Sequence, residues 1–225
     1  MPVEIFVQEQ GKLVTVWLTR EKLIQVILDQ LTDGGWDLSA DKADPDMTAM
    51  AIQALAPYYK TNETVKAAVD KALEALSALQ RNDGGFGSWG TVNSESCDQV
   101  IVALTALGID PTADSRFIKN GLTALDALAS FYVTGGGFRH TAGGELNGMA
   151  TEQGYYALAA YYRFVNAQNR LYDMSDVTIQ TGGSTVTPGA STPATGDTGV
   201  LVWVIALPVT ILAAAFVLKR KEREA

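Results

Sequence analysis

At 225 residues, 47% of them apolar, the chain is long enough for one domain with a sizeable core plus appendages. The net charge is −8, although the last seven residues carry four bases against two acids, so the remainder is more acidic still. Nucleic acid, which demands a basic face, is excluded as a partner. One cysteine, Cys97, and one histidine, His140, allow no internal disulfide and no protein-only zinc site without several carboxylates.

Residues 1–18 alternate (Val3, Ile5, Val7, then Val14, Val16) around Gly11-Lys12, which predicts a short β-hairpin, an N-terminal remnant with no counterpart downstream. From Arg20 the pattern turns helical. Ile24, Ile27, Leu28 and Leu31 share one face, as do Val65, Val69, Leu73, Leu76 and Leu79, and later Phe117, Leu122, Leu125 and Leu128. Their opposite faces are polar, so these are predicted outer helices. Thr48–Ala56, Val100–Leu107 and Thr151–Phe164 are small or apolar nearly all round and are predicted inner helices, buried on every side, the last rich in tyrosine that packs or lines a lumen.

Outer and inner helices are joined by one recurring phrase: Gln30-Leu-Thr-Asp-Gly-Gly-Trp36, Gln80-Arg-Asn-Asp-Gly-Gly-Phe86 and, less faithfully, Tyr132-Val-Thr-Gly-Gly-Gly-Phe138. The copies lie about 50 residues apart, a spacing that marks stacked supersecondary units. Asp44, Asn93 and Asn147 recur in step as expected N-caps, with Pro45 at a first helical position. Thr48, Cys97 and Thr151 follow four residues on.

After residue 177 the periodicity stops. Residues 178–199 are rich in Thr, Ser, Gly and Pro, a linker composition that cannot bury a core. Residues 200–218 (Val200–Leu218) carry no charge and would span roughly 28 Å as a helix, enough to cross a bilayer; Pro208 is tolerable there and Trp203 suits the interface. The basic tail, 219–225, then predicts a cytoplasmic C-terminus and a folded part outside. That orientation needs a secretion signal, yet Glu4, Glu9, Lys12, Arg20 and Glu21 interrupt every apolar stretch near Met1, so further upstream sequence is expected. A tail-anchored cytoplasmic protein is the disfavoured alternative, because it would have to translocate its basic tail.

The phrase Gln-x-x-x-Gly-x-Trp/Phe, three times between apolar helices over about Arg20–Val177, resembles the repeat of the squalene/hopene cyclases and protein prenyltransferases. The resemblance implies an all-α fold for residues 19–177, a partial α/α toroid of three helical hairpins where full members have about six. It also implies that Gln30, Gln80, Trp36, Phe86 and Phe138 are structural, each amide bonding backbone ends while the ring packs beneath. Asp44-Pro-Asp-Met-Thr-Ala-Met-Ala-Ile-Gln-Ala-Leu and Met149-Ala-Thr-Glu-Gln-Gly-Tyr-Tyr-Ala-Leu are similar to secreted bacterial surface proteins that carry such repeats beside transcobalamin-like domains. Within the linker, Thr192-Pro193-Ala194-Thr195-Gly196 resembles a Gram-positive sortase signal, with Thr192 in place of the usual Leu. Motif, apolar helix and basic tail come in the order that cleavage between Thr195 and Gly196, and attachment to peptidoglycan, would need.

Three comparisons bear on chemistry. Asp44-Pro45-Asp46-Met47 overlaps the cyclases' Asp-x-Asp-Asp motif, with Asp46 in the place of the acid; Met47 breaks the motif, and capping with a helix-dipole role is the favoured reading for Asp46 and Glu95. Glu95-Ser96-Cys97 with His140 mimics the prenyltransferase zinc ligands, but His140 falls in a turn and no metal is expected. Given the transcobalamin-like neighbours, His140 is a candidate axial donor to a corrinoid, against the favoured reading of an exposed loop histidine. Asp46, Trp89, Glu95, Arg139 and His140 are therefore the candidate residues of a ligand-binding rim, where such barrels open. The expectation is a surface-anchored, non-catalytic module for a small apolar or corrinoid ligand or another surface component. The alternatives are an isoprenoid cyclase or transferase and a plain spacer.

Overall fold

The computed structural model describes residues 3–9, 12–39 and 41–178, with side chains from Leu18 onward. Contacts divide the chain after Thr178. The linker, the sorting-like Thr192–Gly196, the apolar run Val200–Leu218 and the basic tail lie outside the described residues.

The chain opens on an antiparallel hairpin, β1 (Val3–Glu9) with β2 (Lys12–Leu18), Val3 opposite Leu18 and Glu9 opposite Lys12. Six α-helices follow: α1 (Arg20–Asp29), α2 (Pro45–Leu55), α3 (Glu63–Leu79), α4 (Ser94–Leu107), α5 (Ala124–Ser130) and α6 (Gly148–Val165). Two small ladders precede helices: β3 (Gly87–Ser88) with β4 (Thr91–Val92) before α4, and β5 (Phe138–Arg139) with β6 (Leu146–Asn147) before α6.

Every helix start is fixed by a short polar side chain. Thr19, Asp44, Asn62, Asn93, Thr123 and Asn147 each accept a bond from the free amides of the first turn. Such caps contribute about 1 kcal/mol each. Pro45 sits where its missing N–H costs nothing, and Gly108 ends α4 in the left-handed conformation.

Helix α4 is the centre of the core. It packs between α2 and α6 and against α5, while α3 packs on α2. Val100, Ile101, Val102, Ala103 and Leu104 are all buried, and each of the larger aliphatics is worth roughly 1.5–3 kcal/mol. Because α4 has neighbours on all sides, a helix apolar all round is what this position requires.

Two sequence expectations are corrected. The fold is not all-α: about half of the described residues are helical, and three antiparallel strand pairs accompany them. The two-residue ladders arise where the chain turns back just after Phe86 and at Phe138 to reach the next N-cap, a span too short to show period-2 alternation. No helix among the described residues is long and apolar enough to cross a membrane, and the run Val200–Leu218 lies outside those residues. The inner helices are also unequal. α4 is enclosed, but α2 and α6 flank it and keep exposed faces, Met50 on one and Tyr155, Leu158, Tyr162 and Val165 on the other.

In the repeated phrase the aromatic is buried in all three copies, and the glutamine side chain bonds backbone in one. Gln80 Nε2 donates to the carbonyls of Gly84 (2.9 Å) and Phe117 (3.0 Å), tying α3 to the following segment. Phe86 is fully buried and Phe138 nearly so, while Trp36 Nε1 donates to the Ile27 carbonyl at 2.6 Å. Gln30 departs from the pattern: it closes α1 through its backbone N–H, with no side-chain bond among the described residues. Gly84 must be glycine, since its φ is +80° and a Cβ would stand 2.4 Å from the Thr123 carbonyl oxygen.

Candidate functional site

The repeats converge on one end of the helix layer. In the first and third, the backbone N–H of the repeated aromatic is received by the threonine four places after the N-cap. Thr48 Oγ1 accepts from Trp36 (2.9 Å) and Thr151 Oγ1 from Phe138 (3.0 Å), and in the second Cys97 stands in the same slot, near the Phe86 backbone. This explains why Thr, Cys and Thr share one slot. Burial pushes the Cys97 thiol up to about 12, and the sulfur also bonds the Asn93 carbonyl, so it stays a thiol.

Locking aromatic to helix places the N-terminal ends of α2, α4 and α6 together. Ser88 donates a short hydrogen bond to Asp44, joining the β3–β4 hairpin to the α2 cap. The Ser94 N–H donates to the His140 carbonyl (3.0 Å), which brings the loop after β5 over the start of α4. His140 Nδ1 then lies 2.9 Å from Glu95 Oε2, an oxygen that also accepts from the Ser94 hydroxyl (3.0 Å).

Between these elements opens a cavity of about 380 Å³. Asp46, Trp89, Glu95 and His140 line it, together with Met50, Gln99, Met149 and Gln153. Four of the five rim candidates thus share one wall. The fifth, Arg139, does not border the cavity; its Nε is shut off from solvent without a partner among the described residues.

Burial raises the Asp46 carboxyl above its ordinary value, and the nearby Asp44 and Glu95 charges add to the effect. Ser96 opposes it from close by, though neither its hydroxyl nor Asp46 Oδ1 makes a well-formed hydrogen bond. One turn deeper, Asp98 is fully enclosed with both carboxylate oxygens unpartnered. Burial, with Glu95 and Glu152 nearby, pushes its carboxyl up to about 8. Asp98 therefore sits protonated at neutral pH, an uncharged core residue.

Sequence reasoning missed a ladder of amides across the three inner helices, of which Gln99 and Gln153 line the cavity. Gln53 Nε2 donates to the Gln99 backbone and side-chain oxygens (3.0 Å each), and Gln99 Nε2 donates to Gln153 Oε1 (3.0 Å). This amide ladder stitches α2 to α4 and α4 to α6. Its signal was only partly present: Gln99 and Gln153 stand at equivalent places after their N-caps Asn93 and Asn147, but Gln53 stands a turn further past Asp44. Met50 and Met149 were missed for a different reason: at helix starts they read as core.

Among the described residues, no cluster of three or more His, Cys, Asp or Glu has the arrangement of a metal site. A larger cavity, about 480 Å³, lies at the opposite helix ends, bordered by Ala56, Tyr59, Leu107 and Phe164 with Lys60 and Arg170. It gathers no carboxylate or histidine, so the N-terminal cavity is the better candidate for specific recognition. Comparison with models of known protein families gave no match, and comparison with curated proteins gave none either.

Proposed function

We propose that this chain is a non-catalytic ligand-binding module displayed at the cell surface. The observation that carries the binding half is the cavity at the starts of α2, α4 and α6, where four rim residues from three repeats meet. Its lining combines hydrogen-bonding groups with exposed apolar surface, the mixture that small-ligand sites use to orient a guest. Its volume suits a small molecule or a side chain of a larger partner. Display rests on the chain's C-terminal order of sorting-like Thr192–Gly196, apolar Val200–Leu218 and basic tail, which would bring membrane, sortase and peptidoglycan in as partners.

A second reading, an enzyme acting on an isoprenoid, draws support from Asp46 alone, a carboxyl raised by burial with one unpartnered oxygen. Against it, the surroundings of Asp46 are polar, and Asp44 is occupied in capping α2 through the Asp46 and Met47 amides (3.0 and 3.1 Å). A polyprene acid needs a dry apolar chamber with a partner holding its proton.

The test is to offer the full chain labelled polyprenyl diphosphates, squalene, cobalamin and a set of small polar and charged molecules. Saturable binding with the ligand recovered unchanged is the expected result. Turnover of any isoprenoid would overturn the proposal in favour of the enzyme. Failure of every compound to bind would overturn it in favour of a spacer.

A further inference from the structure

We infer that the cavity at the helix starts receives an alkylammonium group, with Trp89 and Met149 holding its hydrocarbon part and Asp46 its charge. This rests on the proposal that the cavity is a ligand site, and it names the chemical class of the guest.

Trp89 is the residue that folding does not explain. It occupies the first position of the two-residue turn between β3 and β4, with φ +52°, followed by Gly90 at φ +79°. Turns of this kind favour Asn, Asp or Gly, because both central residues are left-handed. A large side chain there is strained against its own backbone. Burial does not offset the cost, since the tryptophan is 81% exposed. Its ring nevertheless forms part of the cavity wall.

The cavity's charge selects the guest. Asp46 on α2 and Glu95 on α4 both line the cavity, so two carboxylates from neighbouring helices border the guest. An anion placed there would meet both carboxylates, together with Asp44 beside them. A neutral apolar guest would strip water from these carboxylates without replacing it. An ammonium N–H answers them, and the attached carbons lie against the indole face and the exposed Met50 and Met149 side chains. The same chemistry is offered by a free alkylamine and by a lysine side chain of a peptide.

Calorimetric titration of the full chain at pH 7 tests this with butylammonium, the neutral 1-butanol, the anion butyrate and a trilysine peptide. Butylammonium is expected to bind saturably, at least tenfold tighter than 1-butanol or butyrate. Trilysine binding tighter than butylammonium assigns the guest to a peptide, and the reverse assigns it to a free amine; either supports the inference. Trp89→Asn suits the turn better, so it should melt no lower than the wild type while losing at least tenfold in butylammonium affinity. Asp46→Asn should lose as much. If 1-butanol or butyrate binds equally well, or Trp89→Asn binds butylammonium unchanged, the cation assignment falls while a binding module survives. If butylammonium does not bind, the assignment falls outright.

Discussion

Phe86→Ala is expected to lower the unfolding free energy by about 3–5 kcal/mol, measured by urea denaturation at pH 6. The ring is fully buried in the connection from α3 to α4, the helix on which α2, α5 and α6 pack. Its carbonyl is held by the Asn93 N–H at 3.4 Å. The surroundings therefore cannot collapse into the void, and the cost falls at the high end for an aromatic. Phe86→Leu keeps most of the volume and should cost far less. A loss under 1 kcal/mol for Phe86→Ala would show that the repeated aromatic is not what joins one repeat to the next.

Alkaline pH should destabilise the chain through Asp98. In the unfolded chain this carboxyl ionises near 3.8, whereas in the fold it ionises only near 8. Between those values the folded state keeps a proton that the unfolded state has released, so stability falls as pH rises and levels off above about 8. The total is on the order of 5 kcal/mol. Asp46, also raised, contributes in the same direction. Asp98→Asn cannot ionise: its stability should match the wild type near pH 4, vary far less toward pH 9, and exceed the wild type by several kcal/mol there. Denaturant titrations at four or five pH values check this. Equal pH slopes in the two proteins would mean that Asp98 is ionised in the fold.

Much of the helix layer was legible from the letters because its signals are local or periodic. Asp44, Asn93 and Asn147 read as caps from their position before apolar runs, and all three accept first-turn amides. The hairpin at residues 3–18 showed in its alternation. Other features depend on which neighbours a position finds. Asp98 looks like a solvent-facing acid in a sequence, and only the enclosure of α4 on every side makes it a buried neutral one. The exposure of Tyr155 and Tyr162 reflects the flanking place of α6, which periodicity cannot convey. At the candidate site, the rim residues were found by counting from the repeated aromatics. Arg139 was misplaced because neighbours in a two-residue strand point to opposite sides. In the Gln53–Gln99–Gln153 ladder only Gln99 and Gln153 occupy equivalent repeat positions, and glutamine on a helix ordinarily faces water, so the letters do not announce it.

The most direct test uses the fact that His140 is the single histidine of the chain, so its imidazole signals in a proton–nitrogen NMR spectrum report on one place. The full chain would be titrated with butylammonium, butyrate and 1-butanol in turn. At least one is predicted to shift those signals saturably, with a midpoint equal to the calorimetric one, because the ring stands on the cavity wall beside Glu95. A probe that binds by calorimetry while the His140 signals stay fixed would place the binding surface elsewhere and contradict the site.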